Sequence, residues 1–523
     1  MRSHAFKIDT RQFVVVALSI AVALALPARA HGVRKFVNGR WFDGARCVAR
    51  PALWSVDGVF RERHEGPADE VVDLKGGCAI PPFAEGHTHD FTVPDPDLSA
   101  RYLERGVFYA KNTNSLTTLT AKVRPLVNRA ETVDVAWALG GLTSSGGHPL
   151  QIYRHAAPRL GLTEAQLDGE AYWTIDTKED LARRWSAIRA HKPDFIKVYL
   201  EHSEEHARRK GDDAFFGRRG LDPKLVPEVV ALAHGAGLRV VAHIATAADF
   251  RAAALGGVDE IAHLPLEKLT PADAQLVARR GTFTTTTTLS HRPSEGVADL
   301  DGLHRHNLAL LRDAGAKVAL GTDGGQSVVD ELENVRRLKA FDDAALLRIA
   351  TRETPKTIFP ARKLGVLADG FEASFLVLAG DPLADFANVR RISLRVKQGH
   401  VLKPPKAPVV ERLVGEAKGH GAPAAIAEYR RLRREEPDRW DLGERQLNAV
   451  GYALLKAGRA ADAIAIFRLN AEQSPGSSNA HDSLGEALLA AGQKAEALRS
   501  YQRAVELDGH NQGARDAIER LQR

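Results

Sequence analysis

The chain has 523 residues, 44% of them hydrophobic and 26% charged, the balance of an ordinary globular protein too long for one compact core. Its formal net charge of +6 gives no reason to expect nucleic acid or an anionic membrane as a partner. Cys47 and Cys78 carry no spacing code and leave open one disulfide or two buried thiols.

Arg2, Lys7 and Arg11 precede an uncharged apolar run from Phe13 to Leu26, and Ala28-Arg29-Ala30 supplies a small-x-small cleavage signal. The run is shorter than the about twenty residues a membrane helix needs. Residues 1–30 therefore read as a secretory signal peptide, with an uncleaved anchor as the competing reading. Without them the net charge falls to about +3, no stable membrane span remains, and the expected location is secreted or periplasmic. The two cysteines would then meet an oxidising medium.

Next come short strand-like runs, 33–42 and 52–60, joined by Asn-Gly and Asp-Gly turns, then 71–74 and 78–80. From there to residue 323 strand-like and helix-like segments alternate. Eight strands are expected: the run into His87, then 106–111, 133–139, 195–200, 238–242, 260–262, 282–287 and 317–321. Crossover helices fit between them, as at 223–235 and 271–280, the latter opening on the N-cap Thr270 and Pro271. Eight such units imply an α/β protein with a (β/α)8 TIM-type barrel over 81–360, its active site at the C-terminal strand ends. Strands after Pro360 are expected to join those before the barrel, making residues 31–80 and 361–402 one small flanking β-sandwich.

A Pro-rich boundary at 403–408 opens a linker expected over 403–418. Over 419–523 Gly451, Gly458, Ala463 and Phe467 are followed 34 residues later by Gly485, Gly492, Ala497 and Tyr501, with Pro475 at the boundary. This period resembles the tetratricopeptide repeat, antiparallel helix pairs in close contact, which implies an all-α domain able to take a protein partner. Residues 424–437 suggest a third, less regular copy.

The chemistry starts at Ala79-Ile80-Pro81-Pro82-Phe83-Ala84-Glu85-Gly86-His87-Thr88-His89, where His-x-His after a strand puts two imidazoles on one face. Alone this is a weak metal signal. Lys197, His243, His263 and Asp323, each at or near the end of a separate later strand, make it much stronger.

In that order, His-x-His, Lys, His, His, Asp, the sequence over residues 33–402 resembles the amidohydrolase superfamily, near its imidazolonepropionase and prolidase branch. The resemblance implies two divalent metal ions, zinc being the expected one. His87, His89 and Asp323 would hold one, His243 and His263 the other, and Lys197, as a CO2-derived carbamate, both. It also implies hydrolysis of an amide, peptide or cyclic amide C–N bond by a metal-bridging hydroxide, with Asp323 as the catalytic base. The substrate would be a small molecule or short peptide, and His148 and Tyr199 are candidate substrate contacts. Thr246 stands where mononuclear deaminases carry a glutamate, which argues against deamination. Pro81-Pro82-Phe83-Ala84-Glu85-Gly86 departs from the usual Pro-Gly-Leu-Ile-Asp and marks a distinct subgroup. Hydrolysis of a lactone, ester or phosphoester on the same site, or a non-catalytic scaffold working through the repeats, are the competing readings.

Overall fold

The computed structural model describes residues 32–291 and 297–523; the expected signal peptide lies outside them. No helix among the described residues is long and apolar enough to cross a membrane.

Strand Val33–Phe42 runs antiparallel to Cys47–Val56. Asn38-Gly39, expected as a turn, is instead an irregularity inside this strand, at which Asn38 takes a φ of 55° and the pairing skips one residue. Only Asp57-Gly58, both at positive φ, makes the tight turn into Val59–Arg61. Glu70–Asp73 and Cys78–Ile80 pair parallel to the first strand, and Phe375–Leu378, Ile392–Lys397 and His400–Val401 continue from Cys78–Ile80. Early and late segments thus meet as expected, although hydrogen bonding makes them one eight-stranded sheet. Its own core gathers Phe36, Trp41, Phe60 and Phe375. Cys47 and Cys78 are joined as a disulfide within it.

All eight expected barrel strands form: Phe83–Thr88, Val107–Asn112, Asp134–Trp137, Ile196–Tyr199, Val240–His243, Glu260–Ala262, Phe283–Thr286 and Lys317–Leu320. All are parallel to their neighbours and predominantly buried, as both faces of such a sheet are covered. Two further short strands, Gly141–Thr143 and Tyr172–Thr174, enter between the third and fourth. The Asp194 amide donates to the Trp137 carbonyl across that junction, and the Thr322 and Asp323 amides both donate to the His87 carbonyl, tying the last strand to the first. Glycines permit this closure, since a Cβ on Gly321 would lie 2.6 Å from that of His87, and one on Gly86 2.6 Å from the Leu320 carbonyl oxygen.

The linker is shorter than expected. Residues 410–418 belong to helix Val410–His420, because Val409, Leu413 and Ala417 recur every four residues and are buried. It pairs with Ala422–Glu435, then Glu444–Lys456 with Ala460–Gln473 and Ser478–Ala490 with Lys494–Leu507, and Gln512–Gln522 closes the array. Arg445 reaches the barrel through Asp95 at 2.7 Å.

Candidate metal centre

The six predicted ligands come together at the C-terminal strand ends. Glu85, His87 and His89 alternate along the first strand and its exit. Glu85, two residues before the first imidazole, fixes it: one carboxylate oxygen accepts from the His87 and Thr322 amides, each at 3.0 Å, and the other accepts from the Thr322 hydroxyl. Burial raises the Glu85 carboxyl well above its usual range. His87 Nε2 and His89 Nε2 each lie 3.3 Å from Asp323 Oδ1. His263 and Asp323 both sit at positive φ, 78° and 64°, a strained backbone of the kind that gathers at functional sites. The Thr287 hydroxyl meets His263 Nδ1 at 2.7 Å, which leaves Nε2 facing the centre.

Burial, with the Lys197 amine next, holds His87 well below the usual imidazole range and brings His243 to about 3; burial likewise lowers His263. All three imidazoles are therefore neutral, the form that binds metal. Burial would raise Asp323, but hydrogen bonds from His87 and His89 outweigh it and hold the carboxylate well below its usual range. Lys197 is 1% exposed, its Nζ has no hydrogen-bond partner, and burial pushes its ammonium down to about 7. Below it the barrel interior holds a tight Lys111–Glu260 ion pair, supported by the Thr285 hydroxyl at 2.6 Å.

Potential ligand atoms cluster in two groups, each within 4.8 Å: His87, His263 and Asp323, and His148, Glu201 and His243. The resemblance grouped His243 with His263, and those rings are indeed adjacent at 4.7 Å. Glu201 was not anticipated, yet it was readable: Lys197, Tyr199 and Glu201 alternate onto one face. His148, expected on a loop, stacks on His243 at 4.5 Å and 8°. The Tyr199 hydroxyl accepts from Asn114 Nδ2 at 2.7 Å, and its ring is 5.3 Å from that of His148. Thr246 caps the helix after the fifth strand by accepting from the Asp249 amide.

Residues 204–402 match the family model described as the amidohydrolase family. A search of curated proteins finds no match. Ochratoxinase from A. niger is similar in structure, with 18% identity and a TM-score of 0.58 over 71% of this chain and 95% of its own. A prolidase complexed with N-methylphosphonate-L-proline gives 20% and 0.56 over 71% and 99%. A putative prolidase from Bifidobacterium longum gives 16% and 0.57 over 74% and 99%. These likenesses are of fold, and the likeness to the amidohydrolase family model is carried by residues 204–402, from the loop after the fourth barrel strand to the end of the flanking sheet.

Proposed function

We propose that the chain is an exported, metal-dependent hydrolase that cleaves the carbon–nitrogen bond of an amide, short peptide or cyclic amide. The observation that carries this is the buried, partnerless Lys197 amine set among the imidazoles of His87, His89, His243 and His263 and the Asp323 carboxylate. The donor set fits two divalent ions, because imidazole nitrogens and carboxylate oxygens are their usual ligands. Ions held there would supply Lewis acidity to polarise a carbonyl and to ionise water near neutral pH.

The residues divide the remaining work. The Lys197 amine, uncharged in part near neutral pH, adds to CO2 with loss of a proton, and the carbamate anion replaces an unpaired cation by a ligand. Asp323 has Oδ1 occupied by His87 and His89; Oδ2 takes the proton of the attacking water and returns it to the departing nitrogen. Tyr199, whose oxygen accepts from Asn114, turns its own O–H to the substrate. The Cys47–Cys78 disulfide supports an oxidising compartment and thus export. The close helix pairs after residue 409 support a tetratricopeptide-type unit.

The test is turnover by purified protein, with and without added zinc, on Xaa-Pro dipeptides, N-acyl amino acids and cyclic amides beside lactones and phosphoesters. The bound proline phosphonate in a prolidase of this fold supports including the first group. Metal-dependent release of amine, abolished in Lys197→Ala, is expected; turnover confined to lactones or phosphoesters, or none at all, sinks the reading.

A further inference from the structure

We infer that Glu331 is a positioning residue for the metal centre, acting on His263 through the hydroxyl of Thr287; this rests on the reading of the site as one that binds divalent ions. The need for it arises where strand Phe283–Thr286 stops. Up to that point the backbone holds the neighbouring exit, since the Thr285 carbonyl accepts from the His263 amide at 3.0 Å. Thr287, whose hydroxyl meets His263 Nδ1 at 2.7 Å, stands just beyond the pairing to either neighbouring strand.

Glu331 takes over where the ladder ends. It lies on helix Val328–Arg337, which follows Asp323 and the last barrel strand, and its side chain is fully buried. One carboxylate oxygen accepts from the Thr288 amide at 2.8 Å, the other from the Leu289 amide at 3.0 Å, and both lie 2.9 Å from the Thr288 hydroxyl. Asn334 Nδ2, on the same helix, donates to that hydroxyl at 2.8 Å. A buried carboxylate is costly unless such donors meet it, and these all come from the two residues after Thr287. Two successive amides on one carboxylate fix the backbone there, and with it the direction of the Thr287 side chain. An imidazole can turn about its Cβ–Cγ bond, and the acceptor at Nδ1 decides which nitrogen keeps its lone pair. With Thr287 held, Nδ1 keeps the proton and Nε2 stays open towards the centre.

The test is a double-mutant cycle on cobalt affinity, measured against a competing chelator, with the visible absorption of the bound ion recorded alongside. Glu331→Gln and Thr287→Val are each expected to weaken binding about tenfold or more and to shift the absorption band, with circular dichroism unchanged. Thr287→Ser, which keeps the hydroxyl, should bind as the wild type does. Because one residue acts through the other, the double variant should bind no more weakly than the weaker single. Should Glu331→Gln fail to fold, Thr288→Val, which gives up only the hydroxyl contacts, takes its place in the cycle. Losses that add, or wild-type affinity and absorption in the folded variant, overturn the inference. Affinity and turnover separate the two claims. Hydrolysis with unchanged affinity in Glu331→Gln defeats only this one, coupled losses of affinity in a protein inert on every substrate defeat only the proposed function, and a wild type that takes up no cobalt defeats both.

Discussion

Asp249 acts on the site without entering it. Its buried carboxylate accepts four backbone N–H groups, from His202 and Ser203 after the fourth strand and from Ala245 and Thr246 after the fifth. One side chain thus fixes the exits that follow Lys197 and His243. Truncation would leave these amides unsatisfied in a buried setting, at about 1–3 kcal/mol for each that finds no water. Asp249→Ala should therefore cost about 3 kcal/mol or more by denaturant unfolding, and a cost below about 1 kcal/mol would refute the role. Half of this was legible: Thr246 and Asp249 have the spacing of a capping box. The other half depends on the fold bringing a distant loop to the same carboxylate, which no local pattern encodes.

In the helix pairs, the repeating glycines are contact points. A Cβ on Gly451 would come 2.5 Å from the Phe467 ring, and one on Gly485 2.9 Å from the Tyr501 ring. The aromatic of each pair lies on the glycine of its partner helix. Gly451→Ala should then destabilise the helical unit by about 1–3 kcal/mol despite its better helix propensity, read as an earlier thermal transition in full-length protein. A neutral or stabilising effect would mean that the ring moves aside freely. The 34-residue spacing made these positions visible in the sequence. The helix at 410–420 was obscured by the proline run before it and by Gly415 and Gly419 within it. The Gly141–Thr143 and Tyr172–Thr174 strands escaped notice because three residues carry no periodicity.

For the whole molecule, the disulfide and the composite sheet decide how the barrel is held. Cys47 and Cys78 are separated by 31 residues, and closing a loop of that length restricts the unfolded chain by about 3–4 kcal/mol in the entropic account. Reduction, or the Cys47→Ser and Cys78→Ser pair, should lower the first thermal transition seen by calorimetry; an unchanged transition would show that the sheet holds without it. Eight strands and their order were legible because each is a short apolar run bounded by turn residues. The stacking of His148 on His243 was not, because it depends on side-chain spacing across different strands.

The pairing of Cys78–Ile80 with Phe375–Leu378 has one more consequence. It joins the segment that enters the barrel to one that follows it, so the barrel is a shut ring of about 300 residues. The entropy of a closed loop grows only as the logarithm of its length, about 0.6 kcal/mol for each doubling. Segments between strand and helix can therefore lengthen or change at little cost while the ring stays fastened at its base. Substrate range can diversify by exchange of these segments, as the residues that would hold the ions remain on a frame that does not open.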